Sequence, residues 1–248
     1  KAVVEKSRRQ LANALNSKPE EIIFTSSGSE SNNMVLKGVL NPGDHFITSS
    51  YEHPAILKVL PFLESKNIST TIVNPDKNGL IHPSDIEENI NANTRLISIM
   101  WVNNELGTIN PISEIGSIAR NRNILFHSDA VQALGKIYIN VDETPVDFLS
   151  MSAHKLYGPK GIGALYKRRG SKLEPLIHGG GQESNLRAST ENIGGIAGFG
   201  MAAELSTSKL KENTNHILRL ESYFLNLLNE QNISYTINGT KRIPGVFN

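Results

Sequence analysis

Cysteine is absent from all 248 residues, which excludes disulfide frameworks, thiolate metal sites and any cysteine nucleophile among them. An excess of either charge is missing too. Lys and Arg number 25 against 24 Asp and Glu, a formal net charge of +1, so no global field draws the chain to nucleic acid or an anionic membrane. A local basic patch such as Lys167, Arg168 and Arg169 is compatible with that balance. The densest apolar run, 96–102, is far shorter than the roughly 20 residues of a membrane-spanning helix. No charged-then-apolar leader opens at Lys1, which favours a cytoplasmic setting without membrane attachment. The 7 histidines include no pair at helical metal-ligand spacing, no Walker lysine pattern occurs, and no G-x-S-x-G accompanies His178-Gly179-Gly180-Gly181.

With 38% hydrophobic and 20% charged residues, the chain has the composition of a folded globular protein. An amphipathic helix is expected over 1–16, with Val4, Leu11, Ala12 and Leu15 on one face. Strand-like runs at 21–25, 44–49, 70–73, 95–102, 124–128, 147–152 and 161–166 then alternate with helical patterns at 31–40, 54–66, 84–90 and 112–122. Several of the strands are apolar at almost every position, as strands covered on both faces are. The pattern predicts an α/β fold of three layers, α/β/α, around a mostly parallel sheet. A glycine-rich stretch, 179–195, reads as a functional loop or hinge. A helix at 216–230 follows, with short strands at 234–237 and near Val246.

Ligands of such sheets sit beyond the carboxyl ends of the strands, so the polar residues there carry the functional question. Ser26-Ser27-Gly28-Ser29 follows the first strand and opens a helix, a phosphate cradle on one reading, while on the other Ser29 or Ser31 is simply the N-cap. Asp129 and Lys155 each follow a buried strand. A desolvated lysine can lose its proton, attack a carbonyl and form a Schiff base, while an opposing carboxylate holds a pyridinium nitrogen protonated. The same positions also suit ordinary surface residues or caps.

The run Ser152-Ala153-His154-Lys155-Leu156-Tyr157-Gly158-Pro159-Lys160-Gly161-Ile162-Gly163 closely resembles the cofactor-lysine segment of the cysteine desulfurases, within the class V aminotransferase group of fold-type I pyridoxal phosphate enzymes. Further segments agree in order: Thr25 to Asn33, Glu52-His53-Pro54-Ala55, Val102 to Gly107, Asp129-Ala130-Val131-Gln132, His178 to Glu183 and Arg187 to Asn192. The resemblance covers essentially the whole chain. It implies a pyridoxal-phosphate-binding large domain over 1–205, incomplete at its N-terminus, and a linking helix with the beginning of a truncated small C-terminal domain over 206–248.

By the same resemblance, Lys155 would carry the cofactor and shuttle protons, and Asp129 would pair with the pyridine nitrogen. His53 would stack on the ring and assist proton transfer. Gln132 would bond the phenolic oxygen, and Asn104 would contact cofactor and substrate carboxylate. Gly28, Ser29, Ser152 and His154 would hold the phosphate, while Thr190 would reach the phosphate of a neighbouring subunit, implying a homodimer. Ser189 stands where the family usually has glycine, a departure that restricts the backbone beside Thr190. The implied reaction converts L-cysteine to L-alanine and passes sulfur to an enzyme cysteine. From there it goes to an acceptor protein, such as an iron–sulfur scaffold or a tRNA thiolation enzyme. That cysteine is expected on a C-terminal loop beyond Asn248, making this chain part of a longer enzyme and inactive alone. Another class V member, a selenocysteine lyase or an aminotransferase, would share Lys155 and Asp129, and a non-catalytic cofactor-binding scaffold is the further alternative.

Overall fold

A computed structural model describes residues 1–248. The chain opens with α1 (Ala2–Leu15) and β1 (Ile22–Thr25), followed by α2 (Gly28–Val39) and β2 (His45–Ser49). Next come α3 (Pro54–Leu57), α4 (Leu60–Ser65), β3 (Ser69–Val73), α5 (Pro83–Glu88), β4 (Thr94–Ser98) and α6 (Ile112–Asn121). The strands β5 (Leu125–Asp129), β6 (Phe148–Ser152) and β7 (Gly163–Lys167) complete one seven-stranded sheet in the order β1-β7-β6-β5-β4-β2-β3. Pairing is parallel from β3 across to β6 and antiparallel on both sides of β7. Two long helices, α7 (Ile193–Ser208) and α8 (Leu210–Glu230), end the regular structure.

Successive strand residues point to opposite faces, and the apolar ones sort into separate cores accordingly. Phe46, Leu96, Phe148 and Leu165 pack with Met34, Val35 and Leu36 of α2 and with Ile56 and Leu63. Their neighbours Ile47, Ile97, Leu149 and Ala164 pack on the other face with Leu11 of α1, Ile115 of α6 and Phe199 of α7. Helices therefore cover both faces of a mostly parallel sheet, the three-layer arrangement expected from the sequence.

The departures have local causes. The helix expected over 54–66 is split between α3 and α4, because Pro61 has no N–H to give to the carbonyl of Leu57. The fourth strand stops at Ser98, after which Met100 N–H turns to the side chain of Glu52 (2.8 Å) instead of a neighbouring strand. Gly194 and Gly195 belong to the first turn of α7, where Asn192 accepts from Gly195 N–H (3.0 Å), rather than to the preceding loop. The last helix begins at Leu210, and no strand forms at 234–237 or near Val246. The expected division after residue 205 falls inside the final turn of α7.

Candidate functional site

The C-terminal ends of β1, β5 and β6 and the start of β7 converge on one edge of the sheet. Thr25 and Ser152 both stand opposite Gly163 in the ladders. A side chain on Gly163 would come 2.5 Å from the backbone of Ser27, so the turn into α2 rests directly on the sheet. Thr25 Oγ1 pins that turn by donating to the carbonyl of Ser27 (3.1 Å). Ser27 is the N-cap, its hydroxyl accepting from Glu30 N–H (3.1 Å). The N–H groups of Gly28 and Ser29 and the Ser29 hydroxyl have no internal partner, and all sit at the positive end of a 12-residue helix. The N-cap is thus Ser27 rather than Ser29 or Ser31, which leaves Gly28 and Ser29 as open donors.

Gly28, Ser29, His53, Asn104, Asp129, Gln132, Ser152, His154 and Lys155 line one cavity of about 190 Å³. Thr190 does not. It is exposed on the loop before α7. The Ser152 hydroxyl and His154 Nδ1 lie 2.8 Å apart beside the helix N-terminus. Burial, then the charges of Lys155 and Lys160, push the His154 imidazole below its ordinary range, which favours the neutral ring. His53 caps α3, its Nδ1 accepting from Ala55 N–H (3.1 Å), which puts the proton of the neutral ring on Nε2. Asn104 follows Asn103, whose Oδ1 accepts from Glu105 N–H (3.0 Å) and Leu106 N–H (2.8 Å) and holds the turn.

Asp129 is buried at the end of β5, and that burial raises its pKa. Asn32 Nδ2 (2.8 Å) and Val131 N–H (3.0 Å) donate to its two oxygens, and the charge of His53 also favours the carboxylate. Lys155, in the 3-10 turn Ala153–Leu156, lines the same cavity and is exposed.

Sequence reasoning did not single out Asn32 or Glu52. Asn32 lies one turn into α2 and presents the amide that Asp129 needs, while its buried Oδ1 has no partner. Its signal was its spacing, one helical turn after the cradle on the sheet-facing side of α2. Glu52 is buried, and its Oε1 accepts from the Ser49 hydroxyl (2.6 Å) and Met100 N–H (2.8 Å), tying the His53 loop to the cavity wall. Burial pushes its carboxyl up to about 8, with the nearby charge of Asp129 adding to the effect.

A larger open groove of about 920 Å³ between α7, α8 and 243–246 meets the first cavity at Lys155. It has no carboxylate in its lining, so the acid–base chemistry belongs to the smaller cavity. No group of acidic or imidazole side chains could hold a metal ion, and no helix is long and apolar enough to cross a membrane.

The model of the aminotransferase class-V family matches residues 1–248. Cysteine desulfurase IscS of Dictyoglomus turgidum is 46% identical over 254 residues, covering 100% of this chain and 64% of the relative. The mitochondrial cysteine desulfurase of Saccharomyces cerevisiae is 45% identical, covering 99% of this chain and 51% of its own length. Among solved structures, a NifS-like protein superposes with a TM-score of 0.92 at 38% identity, covering 98% of this chain and 68% of that one. SspA in complex with cysteine superposes with a TM-score of 0.79 at 47% identity, covering 82% and 60%. The chain therefore spans 64% of the length of the first of these relatives.

Proposed function

The chain belongs to the aminotransferase class-V family, and from that premise we propose that it is the cofactor-binding part of a pyridoxal-phosphate-dependent cysteine desulfurase. The observation that carries this reading is a lysine and a buried aspartate lining one small cavity together with the open N–H groups of a helix N-terminus. The cavity fits the cofactor. Gly28 and Ser29 offer free N–H groups for a dianionic phosphate, and Asp129 offers a carboxylate for a ring nitrogen. A volume of about 190 Å³ suits one substituted ring rather than a dinucleotide.

Bound there, the ring would supply the electron sink that cleavage at an amino-acid side chain requires. The protein's own contribution is positional and electrostatic. Gly28, Ser29, Ser152 and His154 would bind the phosphate, with neutral His154 able to act as donor. Asp129, whose carboxylate form Asn32 and Val131 favour against the burial that raises its pKa, would pair with the ring nitrogen. His53 would stack on the ring with Nε2–H available for proton transfer, and Gln132 would bond the phenolic oxygen. Asn104 would orient the substrate carboxylate. Lys155 would attach the cofactor and, once displaced by substrate, move a proton at the reacting carbon.

The substrate under this reading is L-cysteine, the products are L-alanine and protein-bound sulfur, and the acceptor is an iron–sulfur scaffold or a tRNA thiolation enzyme. The attacking thiol lies outside these 248 residues, which contain no cysteine. Residues 1–205 would form the large domain and 206–248 the start of a second one. A homodimer would bring the exposed Thr190 to the phosphate of the other subunit, and the setting would be cytoplasmic.

The test is L-cysteine turnover in the presence of pyridoxal phosphate. A longer form carrying the C-terminal thiol should produce alanine, and Lys155→Ala should stop it. This cysteine-free chain should perturb the bound-cofactor absorption on adding L-cysteine without accumulating alanine. Alanine from the cysteine-free chain would contradict the thiol requirement.

A further inference from the structure

Beyond the cavity wall, Lys136 lies in the coil of turns that follows β5, one turn after Gln132, and its Nζ donates to Gln132 Oε1. The backbone there is fixed. Ala133 and Leu134 both donate to Ala130, and Lys136 and Ile137 both donate to Ala133, so the backbone holds the two residues one turn apart. Gly135, between them, has φ +72 and meets Ser206 so closely that a Cβ would lie 2.6 Å from its hydroxyl.

An ammonium group only donates, whereas a carboxamide has an accepting end and a donating end. Pairing with Lys136 therefore decides which end of Gln132 faces which way. Its oxygen turns to Lys136, and its N–H groups remain for the cavity that Gln132 lines. We propose that Lys136 is a positioning residue that locks the Gln132 amide with its donors toward the cavity, where they meet an oxygen substituent of the bound ring. This rests on the pyridoxal phosphate reading. Without the lock the amide can rotate and present its oxygen, placing an acceptor against an oxygen that needs a donor.

The surroundings support the geometry. Lys136 is half-buried, and the groove on its far side carries the other cations Lys155 and Lys209, with His216 and Tyr157, but no carboxylate. Burial and then the charge of Lys155 push the Lys136 amine down to about 8, so the ammonium form still prevails at neutral pH.

The experiment compares the chain, Lys136→Met, Lys136→Arg, Gln132→Leu and the Lys136→Met/Gln132→Leu pair at pH 7 with pyridoxal phosphate. The readouts are the absorption maximum and the dissociation constant of the bound cofactor. Lys136→Met should move the absorption maximum in the same direction as Gln132→Leu and weaken retention by about tenfold, the worth of one charge-assisted hydrogen bond. Lys136→Arg, which keeps the donors, should restore both, and the double variant should lose no more than Gln132→Leu alone. Lys136→Leu, which likewise has no donor, replaces Lys136→Met if circular dichroism shows that the latter is misfolded. Parental absorption in the neutral variant, or fully additive losses, would overturn the inference while leaving the cofactor reading intact. A parent chain that takes up no pyridoxal phosphate would overturn both.

Discussion

At the scale of single residues, buried ionisable groups set the pH response of the fold. Glu52 holds its proton in the folded state up to about 8, while an unfolded glutamate releases it near 4.5. Between those values the folded state binds more protons than the unfolded one. Stability from this group is complete below 4.5 and falls as pH rises through the window. Glu52→Gln removes that slope. Its melting temperature relative to the parent should rise from pH 5 to pH 8, and a flat difference would contradict the assignment. His127, buried between the Ser98 and Ser150 hydroxyls, has the opposite sign. Burial pushes it down to about 3 from 6.5, so its contribution is lost as pH falls through that range. Ser189 is the other residue out of balance. The glycine usual there is replaced by a serine held at φ 115, where a side chain is strained. Ser189→Gly should stabilise the chain by about 1 kcal/mol in denaturant unfolding, and a loss of that size would contradict the strain.

Most of the site was legible at this scale because its residues sit in short ordered motifs just beyond strands. Asn32 and Glu52 were not, since the spacing of Asn32 from the cradle marks only a sheet-facing position and a glutamate before a histidine carries no spacing signal at all. Only the fold reveals that each faces a buried partner. The exposure of Lys155 was equally unreadable, because a position after a strand does not say how deep the cavity is.

Among elements, the loop 178–192 depends most on a few contacts. Glu183, Ser184 and Asn185 all have positive φ. The loop is held by a forked pair between Arg8 and Glu183, both bonds 2.8 Å, and by Phe24 N–H donating to Glu183 Oε2 (2.8 Å). Arg187 grips Glu30 of α2 at 2.8 and 3.2 Å, coupling the loop to the same helix end that offers the anion site. Arg8→Leu would strand the nearly buried Glu183 carboxylate and should cost about 3 kcal/mol, with faster proteolytic cleavage inside 178–192. An unchanged cleavage rate would show that the clamp does not order the loop. Helices and strands were legible here where the period was long. The break at Pro61 was visible as a proline but lost inside a continuous apolar pattern. The expected strands at 234–237 and near Val246 had apolar residues, but the C-terminal segment makes only an isolated antiparallel bridge, Arg242 with Thr108, outside the seven-stranded sheet.

Across the whole molecule, the sheet and seven helices form a packed unit, whereas α8 contributes no buried residue and leaves Leu220, Tyr223 and Phe224 exposed. The ion pair of Arg242 with Glu221 and the contact of Phe247 with Phe224 join the C-terminal turn to α8, while the buried Ile243 and the bonds of Lys241 and Ile243 to Ile109 and Gly107 join the same turn to the core. Amide hydrogen exchange should therefore be at least about tenfold faster in α8 than in the buried turns of α7. Equal protection would mean that α8 belongs to the main cooperative unit. The three-layer architecture was readable from the alternation of apolar strands and helices. That α8 buries no residue was not, because its apolar spacing matches that of a helix packed on a core.

The most direct test of the account is to mix the chain with pyridoxal phosphate, reduce it with borohydride, and map the modified peptide by mass spectrometry. The account predicts a yellow complex before reduction and a single label on Lys155, lost in Lys155→Ala. A label on Lys136 or on another lysine, or no label despite a folded chain, would contradict the assignment of this cavity as the cofactor site.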